Sequence, residues 1–243
     1  MQQTSDLYKE ILSVDHWTET KLEIAGVSYG ESRLLRVDLS GNVFSEDKPT
    51  PCSCVSREID IEMLKPDKKI AGLSEIKAYA RITDGSRYSE WISQGVYYID
   101  SIRSVKSVDA DGNIYVRSLK IHGYDAMLLL ERDYPKKSSL SWPANDIDVV
   151  KEIAKDVGIS VDERTLAFME SDTLYREPVQ YPSGQYSCRE TLGNIAAMFA
   201  GCFIISEAGK LRLISPFDTP EETSCLIDHT GYYITMGGTR IRV

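Results

Sequence analysis

Between residues 21 and 122 apolar side chains return at every second position, and that period restricts the chain more than any other feature. Ile76, Ala78, Ala80 and Ile82 alternate with Lys77, Tyr79 and Arg81, while Val55, Arg57, Ile59, Ile61 and Met63 keep step in the run before. The runs 21–25 and 33–39 alternate as well. Successive strand residues point to opposite faces, so such runs build sheets with one face buried and one wet. Turn signals separate them. Asp84-Gly85-Ser86 follows one run, with 87–91 continuing beyond it, and Asp109-Ala110-Asp111-Gly112-Asn113 joins 95–103 to 114–122. Strands at this spacing predict an antiparallel sandwich or barrel, closed by a short helix over 123–132.

The pattern changes after the polar, proline-marked stretch 134–140, where a domain boundary is expected. Asn145 with Asp148 predicts the cap of a helix striped by Ile147, Val150, Ile153, Ala154 and Val157 and stopped by Gly158. A second helix is expected over 162–170, and 175–181 reads as extended and broken by proline. Residues 187–214 are the densest in signals. Ser187 and Glu190 have the spacing in which each side chain satisfies a backbone donor at a helix start. Leu192, Ile195, Ala196 and Phe199 form its apolar stripe, and Gly201 is expected to end it. The run 202–206 should then pair with 210–215 across Glu207-Ala208-Gly209. After Pro216 come the loop Asp218-Thr219-Pro220-Glu221-Glu222 and two β-like runs, 232–236 and 239–243. Alternation up to Val243 predicts either a chain cut short within a strand or a last strand that pairs with another domain or chain. The class is α+β: a β-domain over 1–133, an α+β unit over 134–215, and a partial second β segment over 216–243.

A length of 243 residues suits one large domain or two modest ones, and 42% hydrophobic with 27% charged residues is ordinary globular composition. The longest apolar stretch, Ala126 to Leu130, lies between Asp125 and Glu131, so no stable membrane insertion is expected. Residues 1–10 are acidic and polar where a signal peptide needs a basic and then an apolar region. The chain is therefore expected to stay in the cytoplasm, or to leave by a route not written at its N-terminus. A net charge of −9 argues against sequence-specific nucleic-acid binding, which needs clustered Lys and Arg.

Groups able to do chemistry are scattered. Cys52 and Cys54 are too close for an easy bridge, and with Cys188, Cys202 and Cys225 they make no CxxC pair, so reduced, packed thiols are expected. Cys188, at a helix N-terminus, has the setting for a lowered pKa but no base partner. His16 (at an expected helix end), His122 (ending a strand) and His229 have no second histidine at ligand spacing. The Asp109–Asn113 run has its glycine two residues early for a calcium loop and reads as a hairpin tip. No phosphate-binding glycine motif occurs, and Pro182-Ser183-Gly184 lacks the flanks of a nucleophile elbow. Acid pairs Asp146/Asp148 and Asp60/Glu62 are commonplace on capped helices and wet strand faces. Tyr88, Trp91, Tyr97 and Tyr98 suggest either a sugar platform or packing. No catalytic, cofactor-binding or metal-binding residue is assigned, no cofactor is expected, and no binding residues are named.

Four segments in order carry a family resemblance: Ser89-Glu90-Trp91-Ile92 with Gly95-Val96-Tyr97-Tyr98-Ile99-Asp100; Leu119-Lys120-Ile121-His122-Gly123-Tyr124-Asp125-Ala126-Met127-Leu128; Leu140-Ser141-Trp142-Pro143; and Tyr186-Ser187-Cys188-Arg189-Glu190 through Gly209-Lys210-Leu211-Arg212-Leu213. Together, from about Lys21 to Ile214, they resemble the N-terminal portion of phage and prophage tail proteins of the baseplate-hub kind, also called tail-associated or tail-tip proteins. That resemblance implies a tail-tube-like β-domain interrupted by an α+β insertion, and a second β-domain that here corresponds to 216–243 alone. It implies a virion structural protein, not an enzyme, assembling as a homotrimer in the bacterial cytoplasm and residing in the virion tail. The implied partners are the tail tube, the distal tail protein and the tape-measure protein. Larger members carry a cell-wall hydrolase or receptor-binding region farther on, and nothing like it is expected here.

An acidic balance suits a DNA passage, because a lumen of Asp and Glu repels phosphates where a basic one would hold them. Two other classes compete with the structural reading. One is a carbohydrate- or receptor-binding module of a tail tip; the other is an enzyme such as a peptidoglycan hydrolase with acids converging across domains. A concentration-dependent trimer would favour the hub, and a strict monomer with glycan affinity the module.

Overall fold

The computed structural model describes residues 4–41, 54–135, 138–171, 178–182 and 186–215, together with the backbone of 235–236 and 239–240. The chain is mixed α+β, and its larger part is one curled antiparallel sheet, a half-barrel. Its strands are β1 (Trp17–Ile24), β2 (Val27–Tyr29), β3 (Leu34–Ser40), β4 (Glu58–Leu64), β5 (Glu75–Thr83), β6 (Ile92–Val108) and β7 (Ile114–Asp125). They lie in the order β2-β1-β5-β6-β7-β4-β3. The alternation sets the register: Ile61 faces both Val37 and Ile121 across its neighbours, and Ile121 faces Ile102. These side chains with Leu22, Ile24, Ile59, Met63, Ile76, Tyr97 and Ile99 form the first apolar core.

Curl comes from extra residues. One register shift falls at Leu34/Arg36 between β3 and β4, and three more, at Ala78/Tyr79, Ile99/Ser101 and Val105/Lys106, fall along the ladders of β6. A bulged strand bends and gains twist, so the 17-residue β6 acts as the bent spine of the sheet. At Gly123 a Cβ would lie 2.7 Å from the Tyr98 carbonyl oxygen, so the spine and β7 approach there as they could for no other residue.

Several sequence expectations are corrected. The 87–91 run is not strand: Tyr88 makes a single bridge back to Thr83, and the next strand opens at Ile92. β6 runs five residues past 103, and β7 carries through His122 and Gly123 to Asp125. The helical turn after it begins at Ala126 and is a 3-10 helix, Ala126–Glu131. The helix expected to end at His16 is α1 (Asp6–Leu12), which stops short of it; His16 Nδ1 lies 2.8 Å from the Val14 carbonyl.

The second core collects Ala126, Met127, Leu130 and Tyr134 with α2 (Asp146–Val157), α3 (Glu163–Ser171), α4 (Cys188–Met198) and the hairpin β8 (Cys202–Ile205) and β9 (Leu211–Ile214). Asn145 caps α2 and Gly158, at φ +77°, stops it. The capping box of Ser187 and Glu190 is formed in full. Gly201 does not supply the left-handed residue after α4; Ala200 does, at φ 48°. Gly201 is needed for closeness instead, since a Cβ there would meet the Ile214 carbonyl oxygen at 2.5 Å. In the C-terminal segment, β10 (Thr235–Met236) pairs with β11 (Thr239–Arg240); the other expectations for 216–243 lie outside the described residues, as do Cys52 and Cys225.

Candidate interaction surfaces

The two cores are joined by a polar seam. Asp125 is fully buried where β7 ends; its carboxylate accepts from the backbone N–H of Arg57 at 3.0 Å, the Ser56 hydroxyl at 3.1 Å and the N–H of Met127 at 3.0 Å. Burial pushes its carboxyl up from the ordinary value despite these donors, which pull the other way. The Arg57 side chain bridges outward, with Nη1 3.5 Å from Glu207 at the β8–β9 turn. Arg189 of α4 donates to the Cys54 carbonyl from Nε (3.1 Å) and Nη2 (2.6 Å) and pairs with Glu131. Donors to two backbone carbonyls, one an N–H and one a hydroxyl, complete the seam. Val55 N–H donates to the Phe203 carbonyl at 3.2 Å, and Ser93 on β6 donates to the Glu207 carbonyl at 2.8 Å.

On the wet side of β3, β4, β7 and β6 the register forms two charged rows: Arg36, Glu62, Lys120 and Arg103, then Asp38, Asp60, His122 and Ser101. They line a shallow hollow of about 580 Å³. His122 Nδ1 lies 2.9 Å from Asp60 and its ring stands edge-on to Tyr124 at 4.8 Å. Asp60, His122 and Ser101 follow the order of an acid–base–nucleophile relay. Among the described residues no hydrogen bond joins Ser101 to His122, so the second link of such a relay is not made. The acid pair Asp60/Glu62 thus sits on a wet strand face.

The remaining candidates are placed as follows. Cys188 is fully buried at the start of α4, and burial raises its thiol to about 11, which corrects the lowered pKa suggested by its position. Burial likewise raises Cys54 to about 12 and Cys202 above the ordinary thiol value. Asp109 closes the β6–β7 tip by accepting from the N–H groups of Asn113 (2.8 Å) and Asp111 (3.0 Å), which hold it below the usual carboxylate range. Among the described residues no three His, Cys, Asp or Glu side chains converge as a metal site. No helix among them is long and apolar enough to cross a membrane.

The aromatic run does not make one platform. Tyr97 belongs to the first core and Tyr98 packs against the second. Trp91 lies between Lys21 Nζ (5.1 Å) and the Arg81 guanidinium (4.4 Å), and Arg81 also covers Tyr88 at 4.3 Å. A signal for this was present in the sequence, because alternation brings Lys21, Tyr79 and Arg81 to one face with Glu19, which Arg81 binds at 2.6 Å.

What remains open lies at the two ends of the sheet. At one end, β6 and β7 continue as a two-stranded arm past Ser101 and Arg117, with no described strand on either outer edge. Val108, Ile114 and Tyr115 project from it, Val108 and Ile114 being 64% and 70% exposed. At the other end, Leu12, Val14, Trp17 and Tyr88 are exposed around α1 and the start of β1.

No protein-family model matches the chain, and no curated protein matches it. Among solved structures it is similar to the 43 kDa tail protein of prophage MuSo2 from Shewanella oneidensis. The TM-score is 0.46 at 14% identity, over 80% of this chain and 52% of that one. The chain thus spans about half the length of that tail protein.

Proposed function

We propose that this chain is a structural subunit of a phage or prophage tail, of the baseplate-hub or tail-tip kind. In this reading it docks on the tail tube, meets the distal tail and tape-measure proteins, assembles as a homotrimer and forms part of the DNA passage. The division into a tube-like β-domain over 1–133, an insertion over 134–215 and a second β segment from 216 belongs to the same proposal. The observation that carries it is the form of the β-domain: a curled antiparallel sheet whose edges and arm are open among the described residues, with apolar side chains exposed at both strand ends. Open edges and exposed apolar ends are liabilities in a monomer and assets in an assembly. The order of the tail-protein motifs along 21–214 supplies the choice of assembly, and the net charge of −9 suits a passage to which DNA must not adhere.

Antibody raised to the chain, gold-labelled and imaged on tails purified after phage induction, should mark one end of the tail. Tails that eject DNA normally yet lack this chain by mass spectrometry would overturn the reading.

A further inference from the structure

We propose that the β6–β7 arm docks, head to tail, on the α1 end of a second copy of this chain. This deepens the assembly reading above by naming the two surfaces that meet, and its test is separate.

An isolated two-stranded ribbon is marginal in water, yet this arm carries an apolar strip into solvent. Val116, Ile114 and Val108 continue the line of Leu119, Ile121 and Ile102, which pack in or against the first core. Its charge is opposite to that of the molecule. In a chain of net −9, the arm past Ser101 and Arg117 holds Arg103, Lys106 and Arg117 against Asp109 and Asp111, Lys120 being paired with Glu62 on the sheet behind it. Asp109 is already committed to closing the tip.

The other end is the complement. Exposed Leu12, Val14, Trp17 and Tyr88 stand in the segments 6–19 and 81–90, which carry Asp6, Glu10, Asp15, Glu19, Asp84 and Glu90 against Lys9, Arg81 and Arg87. These residues share one neighbourhood. Arg87 bonds both Asp84 (2.9 Å) and Glu10 (3.1 Å), Glu90 accepts from Ser5 at 2.6 Å, and a Cβ on Gly85 would strike the Trp17 ring at 2.8 Å. A basic apolar projection and an acidic apolar seat on the same chain suit each other in both terms that govern docking.

Distance makes the partner a second copy. Ala80, near the Trp17–Thr83 end, pairs with Ile92 at the start of β6, whereas the exposed arm tip is at Val108, the end of that strand. Sixteen residues of extended chain separate them by roughly 50 Å, so the arm cannot reach its own acidic end. Docked head to tail the contact is heterologous, and the rotation between copies decides whether it closes into a ring or continues as a file.

The test uses the full chain in sedimentation velocity at rising concentration, with circular dichroism to confirm folding. Lys106→Glu with Ile114→Asp spoils the arm; Glu10→Lys with Asp15→Lys spoils the seat. Each variant alone should need about tenfold or more protein for half-assembly, a factor equal to 1.4 kcal/mol. Mixed, they should give a complex of one of each and nothing larger, because one retains the seat and the other the arm. Wild-type protein that stays monomeric, or a seat variant that assembles as wild type does, would overturn the proposal. A photo-crosslinker at Tyr115 in otherwise wild-type protein gives a second reading. Crosslinks into residues 6–19 or 84–90 of another copy support the contact, and crosslinks confined elsewhere, or to tail-tube protein when that is added, refute it. Tail labelling could fail while this assembly holds, or the reverse, so the two proposals fall separately.

Discussion

Asp125 shows how a single buried acid sets the terms for the seam between the two cores. Its carboxyl is pushed up by burial, so the folded chain holds that proton more tightly than the unfolded chain does. Its contribution to stability is fully present below the ordinary carboxylate range and declines as pH rises through the raised folded value. Urea unfolding of wild type against Asp125→Asn, at about pH 4 and pH 7, should show the wild-type advantage shrinking at the higher pH. The asparagine also turns an amide donor towards the Arg57 N–H or the Ser56 hydroxyl, and should cost about 1–3 kcal/mol at the lower pH. Glu152 behaves in the opposite sense. Burial alone would raise it, but donors from Tyr134, Ser138 and Ser139 hold it below its ordinary value, so its contribution is lost as pH falls through that lowered value. At Ala200 a side chain occupies a left-handed backbone at φ 48°, where glycine is at ease. Ala200→Gly should therefore stabilise the chain by about 1 kcal/mol in thermal or urea unfolding.

Among elements, α4 and the β8–β9 hairpin were the most legible in the sequence, because their signals are local. A cap three residues from its partner, a stripe at helical spacing and a glycine turn need no knowledge of the rest of the chain. Ser187→Ala should remove one half of the capping box and cost about 1 kcal/mol in equilibrium unfolding. Gly201→Ala should cost about 1–3 kcal/mol, since the added carbon displaces the β9 backbone at Ile214. Elements with weak local signals were harder to see. α1 is seven residues long and buries Ile11 alone, and β2 has three residues. The extension of β6 past Arg103 was hidden because Ser104, Lys106 and Ser107 break the apolar alternation where no core faces them. The seam was not readable at all: Arg189 meets the Cys54 carbonyl across 135 residues of sequence, a contact with no period and no motif.

Taken as a whole, the molecule keeps its two cores away from solvent and its arm in it. Replacing residues 106–116 by an Asn-Gly turn should accordingly leave the melting temperature within a few degrees of wild type, since the arm packs on neither core, while self-association is lost. The candidate surfaces became visible only at this scale. Alternation assigned Ile114 to a strand but neither Val108 nor Trp17, and whether a strand residue has a neighbour above it depends on how far the adjacent strands run.

β6 is one unbroken strand of 17 residues that begins at the helical unit, where Ser93 holds the Glu207 carbonyl, and ends at the arm tip. A tug applied to that tip is borne in shear first by the β7 ladder and then, from Tyr98 on, by β5 as well, and it reaches the helical unit through Ser93 and the packing of Tyr98. Mechanical force need cross no loop on the way.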